Sequence, residues 1–389
     1  MNSIDRRGFE ASGALDLEGR GLPNAHYIDP DMFREESEAV LIRNWTGIGF
    51  GKDVPDPGSA KPVDLLGIPL LIVRDADGEI GVFQNTCRHR GMILVDRPKK
   101  LRGVIRCPYH SWCYSLKGDL RTTPHVGGPG HNMHADIRRE ELGLVRIRSH
   151  VWRDVVFVNV SGTAPAFEDY AATALSRWAE FEKPMVFGGP DSVFSLEVET
   201  NWKLAVENYC ESYHLPWVHP GLNSYSRLED HYNIEEPGHF SGQGTTVYRR
   251  FSDDAGRVFP DIEGLSQKWD TAAEYLAFYP NVLFGVHRDH AFAILLEPVA
   301  IDRTIEHIAL YYTAEGATAP DLAEMRRANA QQWRTVFEED VGVVEGMQRG
   351  RHGPLFDGGV FSPVMDGPTR LFHEWVAAQI TNARRTASI

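Results

Sequence analysis

The sequence predicts an α+β fold, in which a small all-β domain is followed by a larger domain of helices and strands. Between about residues 43 and 160, short apolar runs such as IPLLIV, GVIRC and DVVFVNV alternate with turn residues, and DADGE and LKGD are typical of hairpins. From about residue 161, helical patterns such as PDLAEMRRANAQQWRTVFEEDVGVVEGMQRG frame AFAILLEPVAIDRTIEHIALYY, which has the pattern of a strand pair. We therefore expect three segments, residues 1–42, 43–160 and 161–389.

The first segment begins with polar residues and continues into DPDMFREESEAVLIRNW, a helical pattern for which Asp31 is the candidate N-cap. Arg6 and Arg7 resemble a twin-arginine export signal. Such a signal also needs an apolar stretch of about 7–15 residues, and the chain has EASGALDLEGRG in that place. We therefore expect a cytoplasmic protein.

Composition excludes several classes of protein. The formal net charge of −14 over 389 residues disfavours nonspecific binding to nucleic acid. No apolar run reaches the roughly 18 residues that a membrane span requires. The four cysteines are too few for a disulfide scaffold and are better explained as metal ligands or buried thiols in a reducing compartment; they are Cys87, Cys107, Cys113 and Cys210.

Two of these cysteines are paired in sequence with histidines, as Cys87-x-His89 and Cys107-x-x-His110. A structural zinc site with two Cys and two His is one interpretation, although zinc fingers usually group Cys with Cys and His with His. Here each short loop supplies one thiolate and one imidazole, which suits a two-iron cluster with both thiolates on one iron and both imidazoles on the other. Cys113 is expected to be a small buried thiol rather than a further ligand.

This pattern, together with the neighbouring CPYHSW and GDL, resembles the Rieske [2Fe–2S] motif. A second constellation lies in ENYCESYHLPWVH, where residues 215–218 separate His214 from His219. That is not the i, i+4 spacing of helical neighbours, and we expect Pro216 to break or kink the helix so that both imidazoles converge. Two His and one carboxylate form the facial triad of mononuclear non-heme iron. The competing interpretation is a pair of ordinary structural histidines.

The two constellations together resemble the oxygenase α-subunit of the Rieske non-heme iron oxygenases, over most of the chain. The resemblance implies a helix-grip catalytic domain, in which an antiparallel sheet wraps a long helix, with residues 1–42 packed on it. It also implies a mononuclear Fe(II) held by His214, His219 and an acid from FEEDVGVVEGMQ. Asp340 is favoured for that acid by its position in related sequences, and Glu339 is the alternative.

Glu211 departs from the pattern of the ring-hydroxylating members of this family, many of which have Asp at the corresponding position. ENYCESYH and FYPNVLFGVHRDHAFAILLEP look more like the branch that acts on quaternary ammonium and N-methyl compounds. Oxidative N-dealkylation is therefore expected, and aromatic-ring hydroxylation is the alternative. Tyr209, Tyr213 and Trp217 are candidates for contacting a cation through their rings, or they simply pack the helix against the sheet.

The resemblance implies further partners. O₂ is the co-substrate, and because no G-x-G-x-x-G follows a strand, electrons must come from a separate NAD(P)H-dependent reductase. Glu211 is expected about one helical turn before His214, on a similar face. In the family, such an acid connects the iron-ligating His of one subunit of a trimer to a cluster-ligating His of the neighbouring subunit. The resemblance therefore implies that Glu211 connects His214 to His110 of the neighbouring subunit. A Rieske electron carrier and a ligand-binding module are the non-oxygenase alternatives, which iron content would distinguish.

Overall fold

The computed structural model describes Leu17 and residues 19–387. Arg6 and Arg7, on which the export argument depends, lie outside the described residues. The chain divides into two compact units, one formed by Gly47–Thr163 and the other by the chain on both sides of it. Within the described part, none of the helices combines the length and apolar character that a membrane span requires.

The N-terminal segment is helical, but its cap is not the predicted one. Helix α1 is Ala25–Ile28, α2 is Pro30–Glu36, and a π-helical turn continues over Ser37–Ile42. Asp29, not Asp31, caps α2, because Asp29 is extended and its carboxylate accepts from the backbone N–H groups of the first turn. Pro30 then takes the first helical position, where its missing N–H costs nothing.

The unit formed by Gly47–Thr163 is built from short strands, as the alternation of apolar runs and turns predicted. Seven strands form one sheet in the order β1-β10-β9-β4-β3-β2-β5, and β6-β7-β8 form a separate three-stranded sheet. The strands are β1 (Thr46–Phe50), β2 (Ser59–Leu65), β3 (Ile68–Arg74), β4 (Ile80–Gln84), β5 (Lys99–Lys100), β6 (Val104–Arg106), β7 (Cys113–Ser115), β8 (Leu120–Thr122), β9 (Arg146–Trp152) and β10 (Val155–Asn159).

The other unit combines helices with an antiparallel sheet. Its elements are α3 (Phe167–Tyr170), α4 (Ala172–Arg177), β11 (Val186–Phe187), β12 (Val193–Val198), α5 (Trp202–Cys210), α6 (Leu215–Val218), α7 (Pro220–Asn223), β13 (His231–Ile234), β14 (Phe240–Thr245), β15 (Ala273–Phe278), β16 (Val282–Val286), β17 (His290–Ala300), β18 (Arg303–Tyr312), α8 (Ala314–Thr318), α9 (Ala323–Gly350) and α10 (Gly367–Ala387).

The sheet of this unit runs β11-β18-β17-β16-β15-β14-β13, with β12 also paired to β18. The predicted strand pair is β17 and β18, and the predicted long helix is α9, so both predictions are confirmed. One core joins the inward face of the sheet to α5, α9 and α10, through residues such as Leu204, Phe337 and Phe372. The N-terminal segment belongs to the same unit, where the backbone N–H of Leu22 donates to His373 Nδ1 at 2.8 Å.

The helix that carries the predicted histidines breaks earlier than predicted. Helix α5 ends at Cys210, and Glu211 is extended, with φ −120° and ψ 161°. Pro216 does not cause the break, since it lies in the first turn of α6, where a proline is tolerated. The expectation that Glu211 and His214 share a helical face is therefore wrong.

Candidate metal centres

The two Cys-His segments of the strand-rich unit form loops of the same design. The carbonyl oxygen of Cys87 accepts from the N–H of Gly91 at 3.0 Å, and that of Cys107 accepts from Ser111 at 3.1 Å. Gly91 and Ser111 both have a positive φ, 72° and 54°. Both loops therefore turn sharply just after their histidine, and both cysteines are buried, at 2% and 1% exposure.

The histidines of these loops lie side by side and closer to solvent than the thiols. The ring centroids of His89 and His110 are 4.7 Å apart, and His89, which is exposed, stacks on Trp112. His110 Nδ1 is buried and has no hydrogen-bond partner among the described residues. A buried ring nitrogen without a partner is costly unless something binds it.

Two buried thiols and two neighbouring imidazoles, one with an orphaned nitrogen, fit a [2Fe–2S] cluster with mixed ligands. Burial raises the pKa of the Cys87 thiol, and a hydrogen bond from Tyr114 lowers it in part. Cys113 is a separate buried thiol whose Sγ lies 3.2 Å from the carbonyl oxygen of Ser111, as expected for a structural cysteine.

In the helix-rich unit, His214, His219 and Asp340 converge, with one ligand atom of each within 4.8 Å of the others. Asp340 Oδ1 lies 3.1 Å from His219 Nε2 and 3.7 Å from His214 Nε2. His214 stands at the start of α6 and His219 at its end, so this single turn of helix sets the separation of the two rings. Asp340 comes from α9.

The outer nitrogens of both rings are held by carboxylates. His214 Nδ1 lies 2.6 Å from Glu211 Oε1, and His219 Nδ1 lies 2.7 Å from Glu339 Oε2. Each imidazole therefore turns its Nε2 toward Asp340, whose buried Oδ1 has no hydrogen-bond partner in the described chain. Carboxylates on the outer nitrogens of metal-ligating histidines are the usual arrangement in proteins.

The electrostatics of this group favour a cation. Burial lowers the pKa of His219, but the nearby carboxylates of Asp340 and Glu339 outweigh it and raise that pKa above its ordinary value. Two imidazoles, one free carboxylate oxygen and this negative potential fit the facial triad of a mononuclear iron. Glu211 was expected on a helix, but it reaches His214 from an extended backbone. Its Oε2 also accepts from the backbone N–H of His214 at 3.3 Å.

A cavity opens beside Asp340. Most of its lining is apolar and comes from the sheet, α5 and α9, including Ala205, Leu283 and Phe337. Tyr209 lines it as well, and its hydroxyl donates to the carbonyl oxygen of Phe284 at 2.9 Å, which fixes the ring.

The other two aromatic candidates are exposed, Tyr213 at 43% and Trp217 at 71%. Sequence reasoning did not identify Glu306, an acid in the cavity wall. The sequence did contain a signal for it. In RTIEHIALYY, residues 303–312, alternate residues from Thr304 to Tyr312 form the mostly apolar side of a strand, and Glu306 interrupts that side.

Comparison with known protein families decides the classification. Residues 44–135 match the Rieske [2Fe-2S] domain, and residues 189–382 match the ring hydroxylating alpha subunit, catalytic domain. The chain belongs to the Rieske non-heme iron oxygenases. It is an oxygenase α-subunit, and the cofactors of this family are the Rieske cluster and a mononuclear iron that uses O₂.

Individual relatives of this oxygenase agree on the class. The carnitine monooxygenase oxygenase subunit of Acinetobacter pittii is 27% identical over 343 residues, which are 85% of this chain and 84% of the relative. Among solved structures, a quaternary ammonium Rieske monooxygenase gives a TM-score of 0.74 at 23% identity, covering 92% of this chain and 95% of that one. Naphthalene 1,2-dioxygenase from Rhodococcus sp. gives 0.72 at 18% identity, covering 92% and 94%. The fold alone therefore does not separate the two substrate classes.

Proposed function

We propose that this oxygenase hydroxylates or dealkylates the N-alkyl group of a small organic amine or quaternary ammonium compound, using electrons from a separate NAD(P)H-dependent reductase. The observation that carries the proposal is the convergence of His214, His219 and Asp340 beside a mostly apolar cavity. In this proposal residues 43–160 carry electrons, residues 161–389 hold the reacting site, and residues 1–42 pack on the latter.

The ligand assignments are part of the proposal. Cys87, His89, Cys107 and His110 would hold the [2Fe–2S] cluster, and His214, His219 and Asp340 the iron. When bound, the cluster would supply one-electron transfer, and the iron would supply O₂ activation. The reaction consumes one O₂, two electrons and two protons per N-methyl group, and gives water and an N-hydroxymethyl compound. Loss of formaldehyde from that compound leaves the dealkylated amine.

The chain's own groups have separate tasks. Glu211 and Glu339 hold the outer nitrogens of the two imidazoles and so fix the ring orientations. Leu283, Ile294 and Phe337 give the cavity an apolar wall that excludes water and confines the substrate beside Asp340.

We further propose that the enzyme is a cytoplasmic homotrimer in which Glu211 connects His214 to the cluster-ligating His110 of the neighbouring subunit. A head-to-tail contact of this kind closes into a ring. It would give each cluster a short route to an iron. The similarity to the carnitine monooxygenase oxygenase subunit of Acinetobacter pittii supports the N-alkyl substrate class.

The test is a single turnover of chemically reduced holoenzyme with O₂ and a panel of N-methyl and aromatic compounds, which removes the need for the reductase. We expect formaldehyde and a dealkylated amine from the wild type and none from His214→Ala. Iron analysis should give the cluster's two irons plus one more. Ring diols without dealkylation would overturn the substrate class, and cluster iron alone, without O₂ consumption, would identify an electron carrier.

The cluster assignment has its own test. Cys87→Ser or His110→Ala should abolish the rhombic electron-paramagnetic-resonance signal of the reduced cluster. Ser111→Ala is the control, since it leaves the four ligands in place. An unchanged signal in either ligand variant would refute the assignment.

A further inference from the structure

Glu306 stands at an apolar position of the sheet. It lies on β18 with Leu196 of β12 and Leu296 of β17 as its backbone partners. Side chains of a strand alternate between faces, and the neighbours of Glu306 on its own face, Thr304 and Ile308, are both fully buried. A carboxylate therefore interrupts the inward face of the sheet.

The carboxylate of Glu306 has no partner within the described residues, neither an ion pair nor a hydrogen bond. The three buried glutamates described in this unit are all paired: Glu36 receives Lys203 Nζ at 2.6 Å, Glu207 receives Arg351 Nη2 at 3.4 Å, and Glu274 receives five donor groups from Arg177, Trp178, Tyr232 and Lys268. Burial and the charge of Asp340 raise the pKa of Glu306 to about 8. A cation bound beside this half-buried acid would favour its ionised form and so would bind as the partner of a carboxylate.

The cavity indicates what that ligand is. Glu306 and Asp340 line the same cavity, together with Tyr209 and Phe337. The residues that line it include two acids and no Lys, Arg or His. If Asp340 binds the iron, one carboxylate remains for one cationic centre, and the lining residues offer no cationic side chain to pair with a substrate carboxylate.

We propose that Glu306 is a specificity residue that pairs with the cationic nitrogen of a small monocation lacking a carboxylate, which positions an N-methyl group toward His214, His219 and Asp340. This inference rests on the proposed function, and it narrows the substrate class to choline-like alkylammonium compounds. A quaternary nitrogen has no N–H to donate, so the attraction is electrostatic and is strengthened by the mostly apolar lining of the cavity. The faces of Tyr209 and Phe337 would add attraction for the same charge.

The test compares ligands that differ only in charge. Choline and its neutral carbon isostere, 3,3-dimethylbutan-1-ol, have nearly the same shape, and their dissociation constants with the holoenzyme can be measured by titration calorimetry. We expect the wild type to favour choline at least about tenfold and to bind glycine betaine more weakly than choline. Glu306→Gln should abolish the preference for choline over the isostere while the affinity for the isostere stays the same.

Glu197→Gln is the matched control, since Glu197 lies on the neighbouring strand, pairs with Arg303 and faces solvent. It should bind as the wild type does. The melting temperature of Glu306→Gln should not fall, because no hydrogen bond or ion pair of Glu306 among the described residues is lost. Glu306→Asp, which keeps the charge, should keep part of the preference.

Three results would overturn the assignment: a wild type without cation preference, a Glu306→Gln variant that still prefers choline, or one that loses both ligands equally. Iron content and O₂ consumption are measured separately. A wild type that holds iron and oxidises neutral compounds would therefore refute the role of Glu306 while leaving the proposed oxygenase function intact.

Discussion

Glu339 Oε2 lies 2.7 Å from Nδ1 of His219, on the side of the ring that faces away from Asp340. Consecutive residues of a helix point about 100° apart, so only one of Glu339 and Asp340 can face the point where the two Nε2 atoms meet. Asp340 does so, and Glu339 takes the outer nitrogen. The two acids that the sequence left as alternatives thus have different positions and, we predict, different roles.

Asp340→Asn should remove the mononuclear iron, because it replaces the one carboxylate that faces both Nε2 atoms. Glu339→Gln should instead weaken iron binding by about 10–100-fold, as loss of an outer partner does. Iron analysis at a series of chelator concentrations separates the two results, and the visible spectrum of the cluster should be unchanged in both.

Glu338→Gln is the control, since Glu338 is exposed and pairs with Arg334. If Asp340→Asn keeps full iron occupancy and Glu339→Gln loses the iron, then Glu339 is the iron ligand and Asp340 is not. Loss of the cluster as well would mean that these residues support the fold.

The sequence predicted the convergence of His214, His219 and Asp340 better than it predicted the backbone that carries them. Spacing alone indicated that His214 and His219 do not share a helical face. It placed the break at Pro216, where the ring could still fit the first turn of a helix, whereas α5 already ends at Cys210. Where a helix ends depends on tertiary contacts, and here Glu211 leaves the helix to reach His214 Nδ1.

The cavity was the least predictable part. Periodicity identifies the strand pair, but which residues of its inner face border an open space depends on how α5 and α9 pack against the sheet. Tyr213 and Trp217 were candidates for contacting substrate because they are near the histidines in sequence, yet both are exposed. Glu306, far away in sequence, lines the cavity.

Tyr114→Phe should lower the reduction potential of the cluster. The N–H of Arg88 donates to the Tyr114 oxygen at 3.0 Å, so the hydroxyl proton is directed at Cys87 Sγ, 3.2 Å away. A hydrogen bond to a ligating sulfur stabilises the reduced cluster. Loss of about 1 kcal/mol corresponds to roughly 40 mV for a one-electron couple.

Redox titration followed by electron paramagnetic resonance measures this change. Tyr109→Phe is the control, since its ring contacts that of His110 but its hydroxyl has no hydrogen bond among the described residues. A potential that is unchanged or higher in Tyr114→Phe would show that the hydroxyl does not donate to the sulfur.

Glu274→Gln should lower the free energy of unfolding by about 3 kcal/mol at pH 7, because it leaves buried donors without their charged acceptor. Burial alone would raise the pKa of Glu274, but hydrogen bonds from Arg177 and Lys268 hold it below the ordinary 4.5. The stabilisation is therefore fully present above pH 4.5 and is lost as the pH falls through the lowered value.

Urea unfolding of the wild type and the variant, followed from pH 8 down to pH 3, checks this dependence. The difference between them should be constant above pH 5 and shrink below 4.5. Glu229→Gln, an exposed acid, should show no such difference. A gap that widens in acid would mean that the pKa of Glu274 is raised.

The last prediction concerns electron transfer through Glu211. Its Oε1 lies 2.6 Å from His214 Nδ1, and the side chain is 14% exposed, so it can contact a partner group on its other side. Glu211→Gln keeps an acceptor for that nitrogen and for the backbone N–H of His214 but removes the charge. With both metals confirmed present, single-turnover oxidation of the reduced cluster should slow by about 10–100-fold. Glu229→Gln should react at the wild-type rate.

Because the proposed route runs from the His110 of a neighbouring subunit, dilution that dissociates the oligomer should slow the wild type to a similar extent. Wild-type rates in Glu211→Gln, or a fully active monomer, would exclude this route, and the cluster would then have to serve the iron of its own chain.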